Sequence, residues 1–172
     1  MRIAILGYSG SGKSTLAKPL GNVFNIPVLY LDTVQFKKNW IQRDKTEAIS
    51  IVSDFMNKKD WIIEGNYTPF LQRERLEKAD YIIYFAFSRF NCLYRVFKRF
   101  LKYRNTYRES ISVGCNEKID IEFIWWILHQ GRNKNIKNHY KKALSPYKNK
   151  VFILKNQKHL NDFMLNMTDF IK

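Results

Sequence analysis

The chain is short of acid. Its 172 residues hold 15 Asp plus Glu against 30 Lys plus Arg, a formal charge of +15. A surplus of that size disfavours cationic partners and points to an anionic one: a phosphate-rich small molecule, a nucleic acid or an acidic membrane surface. Cysteine is scarce as well. Two residues, Cys92 and Cys115, cannot build a disulfide framework, which excludes a small stapled secreted scaffold. Long apolar runs are missing. The stretches at 81–87 and 123–128 are far shorter than the roughly 20 residues that span a bilayer, so no membrane partner is expected. The N-terminus lacks a signal peptide's charged, apolar and cleavage regions, and a cytoplasmic protein is expected. Repeats, low-complexity tracts and linker-like stretches are absent, and the length suits one domain over 1–172.

What is present is apolar, aromatic and unevenly basic. A hydrophobic share of 45%, with 13 Phe, 10 Tyr and 4 Trp, suffices for a sizeable core. Residues 1–88 carry 12 basic and 9 acidic side chains, whereas 89–172 carry 18 and 6. Abundant Lys, Asn and Ile fit an AT-rich coding bias, which accounts for lysines better than for arginines. Short, continuously apolar runs at 3–6, 27–31, 61–63, 81–87 and 151–154 read as strands. Helical spacing marks 14–24, 44–56, 69–78, 92–103, 120–140 and 159–171. Asp44 and Glu47 have the spacing of a capping box. In 92–103, Leu93, Val96, Phe97 and Phe100 form one face and Arg95, Arg99 and Lys102 the other. Strands alternating with helices, and apolar throughout, predict an α/β fold with a parallel sheet covered on both faces. Pro19 falls inside the first predicted helix, at a cost of about 3 kcal/mol or a kink.

The segment Gly7-Tyr8-Ser9-Gly10-Ser11-Gly12-Lys13-Ser14, followed by Thr15, fits the phosphate-loop pattern G-x-x-x-x-G-K-[ST]. Glycines let the backbone curl so that its N–H groups converge on phosphate oxygens, and the following helix adds its positive end. Lys13 is expected on the β- and γ-phosphates, and Ser14 on Mg²⁺. Nucleoside-triphosphate binding follows, with ATP and Mg²⁺ as the expected ligands; no N-K-x-D guanine signature is present.

Ligands of open α/β sheets bind beyond the carboxyl ends of the strands. Asp32 is expected to end the second strand and Glu64 the third, both facing the loop. Such carboxylates can orient a metal or accept a proton from an attacking hydroxyl. Their plainer roles are a helix cap for Asp32 and a surface turn for Glu64. Arg95, Arg99, Arg104, Arg108 and Arg132 form a pool for neutralising phosphate charge, or else a solvated face. The lysines of 134–150 read as a solvated face. Trp125 and Trp126 read as core and lid packing, or as a clamp on a flat acceptor.

Several segments together resemble adenylate-kinase-like P-loop kinases, most closely the DNA topology modulation (FlaR-like) group. They are IAILGYSGSGKSTLA, Leu31-Asp32 with Trp40 beyond it, WIIEGNY, SRFNCLYR, and GCNEKID with the following EFIWWI. The resemblance implies a five-stranded parallel sheet in order 2-3-1-4-5 with a helical lid over approximately 104–142. It implies Arg95 against adenine and Arg99 on the phosphates, Arg132 on the helix returning from the lid, and Asn156 where the backbone borders adenine. It also implies Glu64 as the metal-side acid. Thr68 stands where adenylate kinases place the arginine that grips the AMP phosphate. Two functions are therefore expected to compete. One is a kinase acting on a small phosphate acceptor, with Lys13, Asp32, Glu64, Arg99 and Arg132 catalytic. The other is a nucleotide-gated regulator binding DNA or RNA through its basic half.

Overall fold

The computed structural model describes residues 1–103, 110–112, 114–115 and 119–170, the last four by backbone alone. Five parallel strands make the sheet: β1 (Arg2–Gly7), β2 (Val28–Tyr30), β3 (Trp61–Glu64), β4 (Tyr81–Phe85) and β5 (Val151–Leu154), in order β2-β3-β1-β4-β5. The expected α/β architecture and strand order are those observed. Ile3, Ala4, Ile5 and Leu6 of central β1 are all buried. Successive side chains of a strand point to opposite faces, and here Ile3 and Ile5 join one core cluster while Ala4 and Leu6 join the other. Helices α1 (Lys13–Phe24), α5 (Arg89–Tyr103), α6 (Ile121–Leu128) and α8 (Gln157–Phe170) supply the first cluster through Leu16, Leu20, Val96, Ile127 and Phe163. Helices α2 (Leu31–Gln35), α3 (Lys45–Met56), α4 (Gln72–Lys78) and α7 (Lys134–Leu144) supply the second through Val34, Val52, Leu76 and Leu144. Covering both faces is what permits strands without polar alternation.

Register positions the site. Ile5 pairs with Glu64, and the Gly65 N–H donates to the Ile5 carbonyl at 3.0 Å. The end of β3 is thereby fixed beside the loop that leaves β1.

Four details differ from the sequence expectation. The second strand stops at Tyr30, and Leu31–Gln35 is helical, so Asp32 sits in a first helical turn rather than at a strand end. The helix expected over 120–140 is broken into α6, a 3₁₀ turn at Gln130–Arg132 and α7. At the break, a Cβ on Gly131 would lie 2.8 Å from Trp126 Nε1, so this close approach leaves no room for a side chain. On α5, Cys92 and Val96 are buried but Phe97 is exposed, because the helix turns that flank outward. The capping box is half made: Asp44 accepts from the Thr46 and Glu47 amides, while the Glu47 carboxylate pairs with Lys37 and Arg43. Helix α1 runs through Pro19, which has no N–H for the Thr15 carbonyl; Thr15 is exposed. Among the described residues, no helix is long and apolar enough to cross a membrane.

Candidate active site

The loop between β1 and α1 takes its shape from three glycines with positive φ: Gly7 at 138°, Gly10 at 75° and Gly12 at 103°. A Cβ on Gly7 would lie 2.4 Å from the Phe85 carbonyl oxygen. One on Gly10 would lie 2.5 Å from Val96 Cγ2, so α5 backs directly onto the loop. Asn66 pins the loop's first residue from both sides. Its Nδ2 donates to the Gly7 carbonyl at 2.7 Å, and its Oδ1 accepts the Gly7 N–H at 3.0 Å.

Glu64 is nearly fully buried. Its Oε2 accepts the Ser14 hydroxyl at 2.9 Å, and its Oε1 lies 3.8 Å from Lys13 Nζ, which also donates to the Tyr8 carbonyl at 3.1 Å. This is no surface turn. A hydroxyl beside a carboxylate is the oxygen chemistry a hard divalent cation takes. Ser14 and Glu64 therefore fit Mg²⁺. Among the described residues, no group of three or more His, Cys, Asp or Glu gathers to hold a metal.

These groups open onto one cavity of about 1370 Å³, larger than the roughly 300–1,000 Å³ usual for a single small-molecule site. Ser9, Gly10, Gly12, Lys13, Ser14 and Thr15 line it, as do Asp32 and Glu64. Asp32 reaches it from α2. It caps no helix; its Oδ1 accepts the Tyr67 phenol at 2.8 Å. Burial, and then the Asp32 charge, push the Tyr67 phenol well above its ordinary pKa. It stays a donor and fixes the carboxylate.

Behind this wall lies Arg75, 1% exposed. It donates to the carbonyls of Phe70 at 2.8 Å, Gly65 at 3.1 Å and Tyr67 at 2.8 Å. Burial pulls its pKa down to about 10 against the opposing pull of Glu64, so it remains cationic at neutral pH. Gln72 Nε2 donates to the Asn66 carbonyl at 2.9 Å, and its Oε1 meets His139 Nε2 at 2.8 Å. Sequence reading missed Arg75 and Gln72. The signal was there: Gln72, Arg75, Leu76 and Ala79 follow the i, i+3, i+4, i+7 phase of a buried helix face, and all four are buried.

The basic side comes from α5. Arg95, Lys98, Arg99 and Lys102 line the cavity. Arg95 donates to the Ser11 carbonyl at 3.2 Å, pairs with the Gln157 side chain, and lies 4.5 Å over the Phe87 ring. Arg104 and Arg108 fall outside the described residues.

Other expected site residues lie off the cavity. Arg132 is buried. It donates to the carbonyls of Ile127 (3.1 Å) and Phe87 (2.8 Å) and to Cys92 Sγ (3.0 Å), and its guanidinium sits 3.9 Å over the Tyr8 ring. Three of its five N–H donors are used inside the protein, where it joins α5, the Gln130–Arg132 turn and the phosphate loop. Asn156 is not among the lining residues; its side chain accepts the His159 amide at 2.9 Å and caps α8. Gly7 and Ser11 shape the loop from behind. Trp125 and Trp126 are 53% and 42% exposed, so neither is a core residue. Trp126 lines the cavity, and Trp125 stacks on His129 with centroids 4.0 Å apart. Cys92 is buried, which raises its thiol pKa, and Cys115 is buried too.

Among solved structures, a deoxyadenosine kinase from M. mycoides with bound dATP is similar over all of both chains, at 16% identity and a TM-score of 0.59. The same enzyme with dCMP and dCDP matches 98% of this chain and 99% of its own, at 17% identity and a TM-score of 0.52. A shikimate kinase from Bacteroides thetaiotaomicron matches 99% and 98%, at 15% identity and a TM-score of 0.52. No family model matches the chain, and no curated protein matches it by sequence. At these identities the likeness is one of architecture, and the chain has the α/β fold of the P-loop kinases.

Proposed function

We propose that the protein is a Mg²⁺-ATP-dependent phosphotransferase acting on a small acceptor, with 1–172 forming one nucleotide-binding domain. The observation that carries this reading is the joining of Ser14 to Glu64 beside Lys13, on a cavity that also receives Asp32 and the cations of α5. A fold shared with nucleoside and shikimate kinases supports it.

In this reading the loop amides and Lys13 hold the β- and γ-phosphates, and Ser14 and Glu64 hold Mg²⁺. The bound cation would neutralise charge on the phosphate oxygens. Asp32, held by Tyr67, orients the acceptor hydroxyl and accepts its proton. The acceptor oxygen bonds to the γ-phosphorus as the bond to the bridging oxygen breaks, and that electron pair leaves with ADP. Arg95 and Arg99 neutralise the charge that develops. A coupled ADP-release assay over nucleosides, nucleotides and small metabolites tests the reading: turnover should appear with at least one acceptor and fall about 10²–10³-fold in Lys13→Ala. Absence of Lys13-dependent turnover with every acceptor would overturn it.

The resemblance to the DNA topology modulation group supports a second reading, a nucleotide-gated nucleic-acid binder. One observation favours it: Lys134, Lys137, Lys141 and Lys142 of α7 are all exposed. Several phosphate contacts would give a steep fall of log K with log salt concentration; a flat dependence would sink this reading.

A further inference from the structure

The cations and the aromatic rings of the cavity come from different elements. The lysines and arginines that line it among the described residues are Lys13 of α1 and Arg95, Lys98, Arg99 and Lys102 of α5. The opposite wall is built from three other places: α2 with the turn after it (Asp32, Phe36, Trp40), the segment after β3 (Tyr67, Thr68, Gln72), and α7 (Ile136, His139, Tyr140). Hydrogen bonds join these three into one unit. Tyr67 donates to Asp32, and His139 Nε2 meets both Gln72 Oε1 at 2.8 Å and Thr68 Oγ1 at 3.5 Å.

That wall contributes no Lys or Arg to the cavity among the described residues, although its elements contain several. Lys37 and Arg43 are turned to Glu47. Arg43 also donates to the Val34 carbonyl at 2.8 Å, and Arg75 is spent on three carbonyls. The formal charge of the wall is the Asp32 carboxylate. An acceptor bearing its own phosphate or carboxylate would meet that anion with no Lys or Arg of this wall beside it among the described residues, which is repulsion built into the site. The neutral groups are better provided for. Gln72 is oriented by its bond to the Asn66 carbonyl, so its Oε1 can only accept and His139 Nε2 must carry a proton. In the neutral ring Nδ1 is then an acceptor, and Thr68 adds a hydroxyl. Phe36, Trp40, Tyr67 and Tyr140 supply ring surface for a flat partner.

Resting on the phosphotransferase reading, we infer that the acceptor is a neutral, hydroxyl-bearing ring compound of the nucleoside class rather than a phosphomonoester or a carboxylate. The hydroxyl gives its proton to Asp32 as its oxygen bonds to the γ-phosphorus, and ADP leaves with the electron pair of the broken bond.

The test is ADP release from Mg²⁺-ATP with nucleosides, their 5′-monophosphates and shikimate as acceptors, using wild type, Lys13→Ala and Thr68→Arg. A nucleoside should turn over in a Lys13-dependent way, with kcat/KM about tenfold or more above that of its monophosphate and of shikimate. Thr68→Arg, which adds a cation to this wall, should shift the ratio toward the monophosphate by about tenfold. Lys13-dependent turnover that favours a monophosphate or shikimate in wild type would overturn the inference and leave the phosphotransferase reading standing. No Lys13-dependent turnover with any acceptor would remove both.

Discussion

The two sides of the cleft are held by different kinds of bond. On the phosphate side the backbone makes the shape. Three glycines at positive φ set the curve of the loop, and Asn66 grips both main-chain groups of Gly7. On the proposed acceptor side, side chains make it. Arg75 fixes the segment after β3 by three carbonyls, and Gln72, His139, Tyr67 and Asp32 are tied to one another in pairs. Phosphate is the same in every triphosphate, so a backbone cradle serves it without regard to side-chain identity. An acceptor must be told apart from its relatives, and exchangeable side chains do that.

Substitutions on each side of the cleft separate the two. The largest effect is expected on the acceptor side's hidden support. Arg75→Ala removes a buried cation and strips three carbonyls of their donor, and should cost about 3–5 kcal/mol in urea unfolding. A loss under 1 kcal/mol would mean that the segment after β3 is held by something else. Lys13→Ala acts at the phosphate side and should lower kcat/KM about 10²–10³-fold, with the fold intact by circular dichroism. Gly7→Ala puts a methyl 2.4 Å from the Phe85 carbonyl oxygen at a φ of +138°, and about 2–3 kcal/mol of stability should go. Tyr67→Phe is the mildest. It frees the Asp32 carboxylate of one hydrogen bond and should lower kcat/KM for the acceptor about fivefold, near 1 kcal/mol, with KM for ATP in place. An equal change in both substrates' constants would argue that the two sides are not separable.

The same division explains what could be read in advance. The strands, the phosphate loop and the acid at Glu64 follow from local pattern: apolar runs, glycine spacing and the rule that parallel strands end at the site; the strand order came only from the resemblance to P-loop kinases. Asp32 was legible as a cavity residue but not as a helical one, since Leu31–Gln35 continues an apolar strand without a glycine or proline between them. The acceptor wall was not legible. Thr68 and Gln72 meet His139 across about 70 positions of sequence, and only the docking of α7 on the sheet brings them together. Arg132 was misread in its surroundings rather than its element. Position suggested a phosphate ligand, while the break after Leu128 turns its guanidinium onto backbone carbonyls and the Tyr8 ring.

In the proposed reaction Ser14 and Glu64 act with Lys13 as one triphosphate and metal site. Titration calorimetry of ATP with and without Mg²⁺, on wild type, Ser14→Ala and Glu64→Gln, tests it most directly. Wild type should bind ATP at least about tenfold more tightly with Mg²⁺, and both variants should lose most of that gain while still binding metal-free ATP. Equal affinity with and without Mg²⁺ in wild type, or a gain that survives in both variants, would contradict the account.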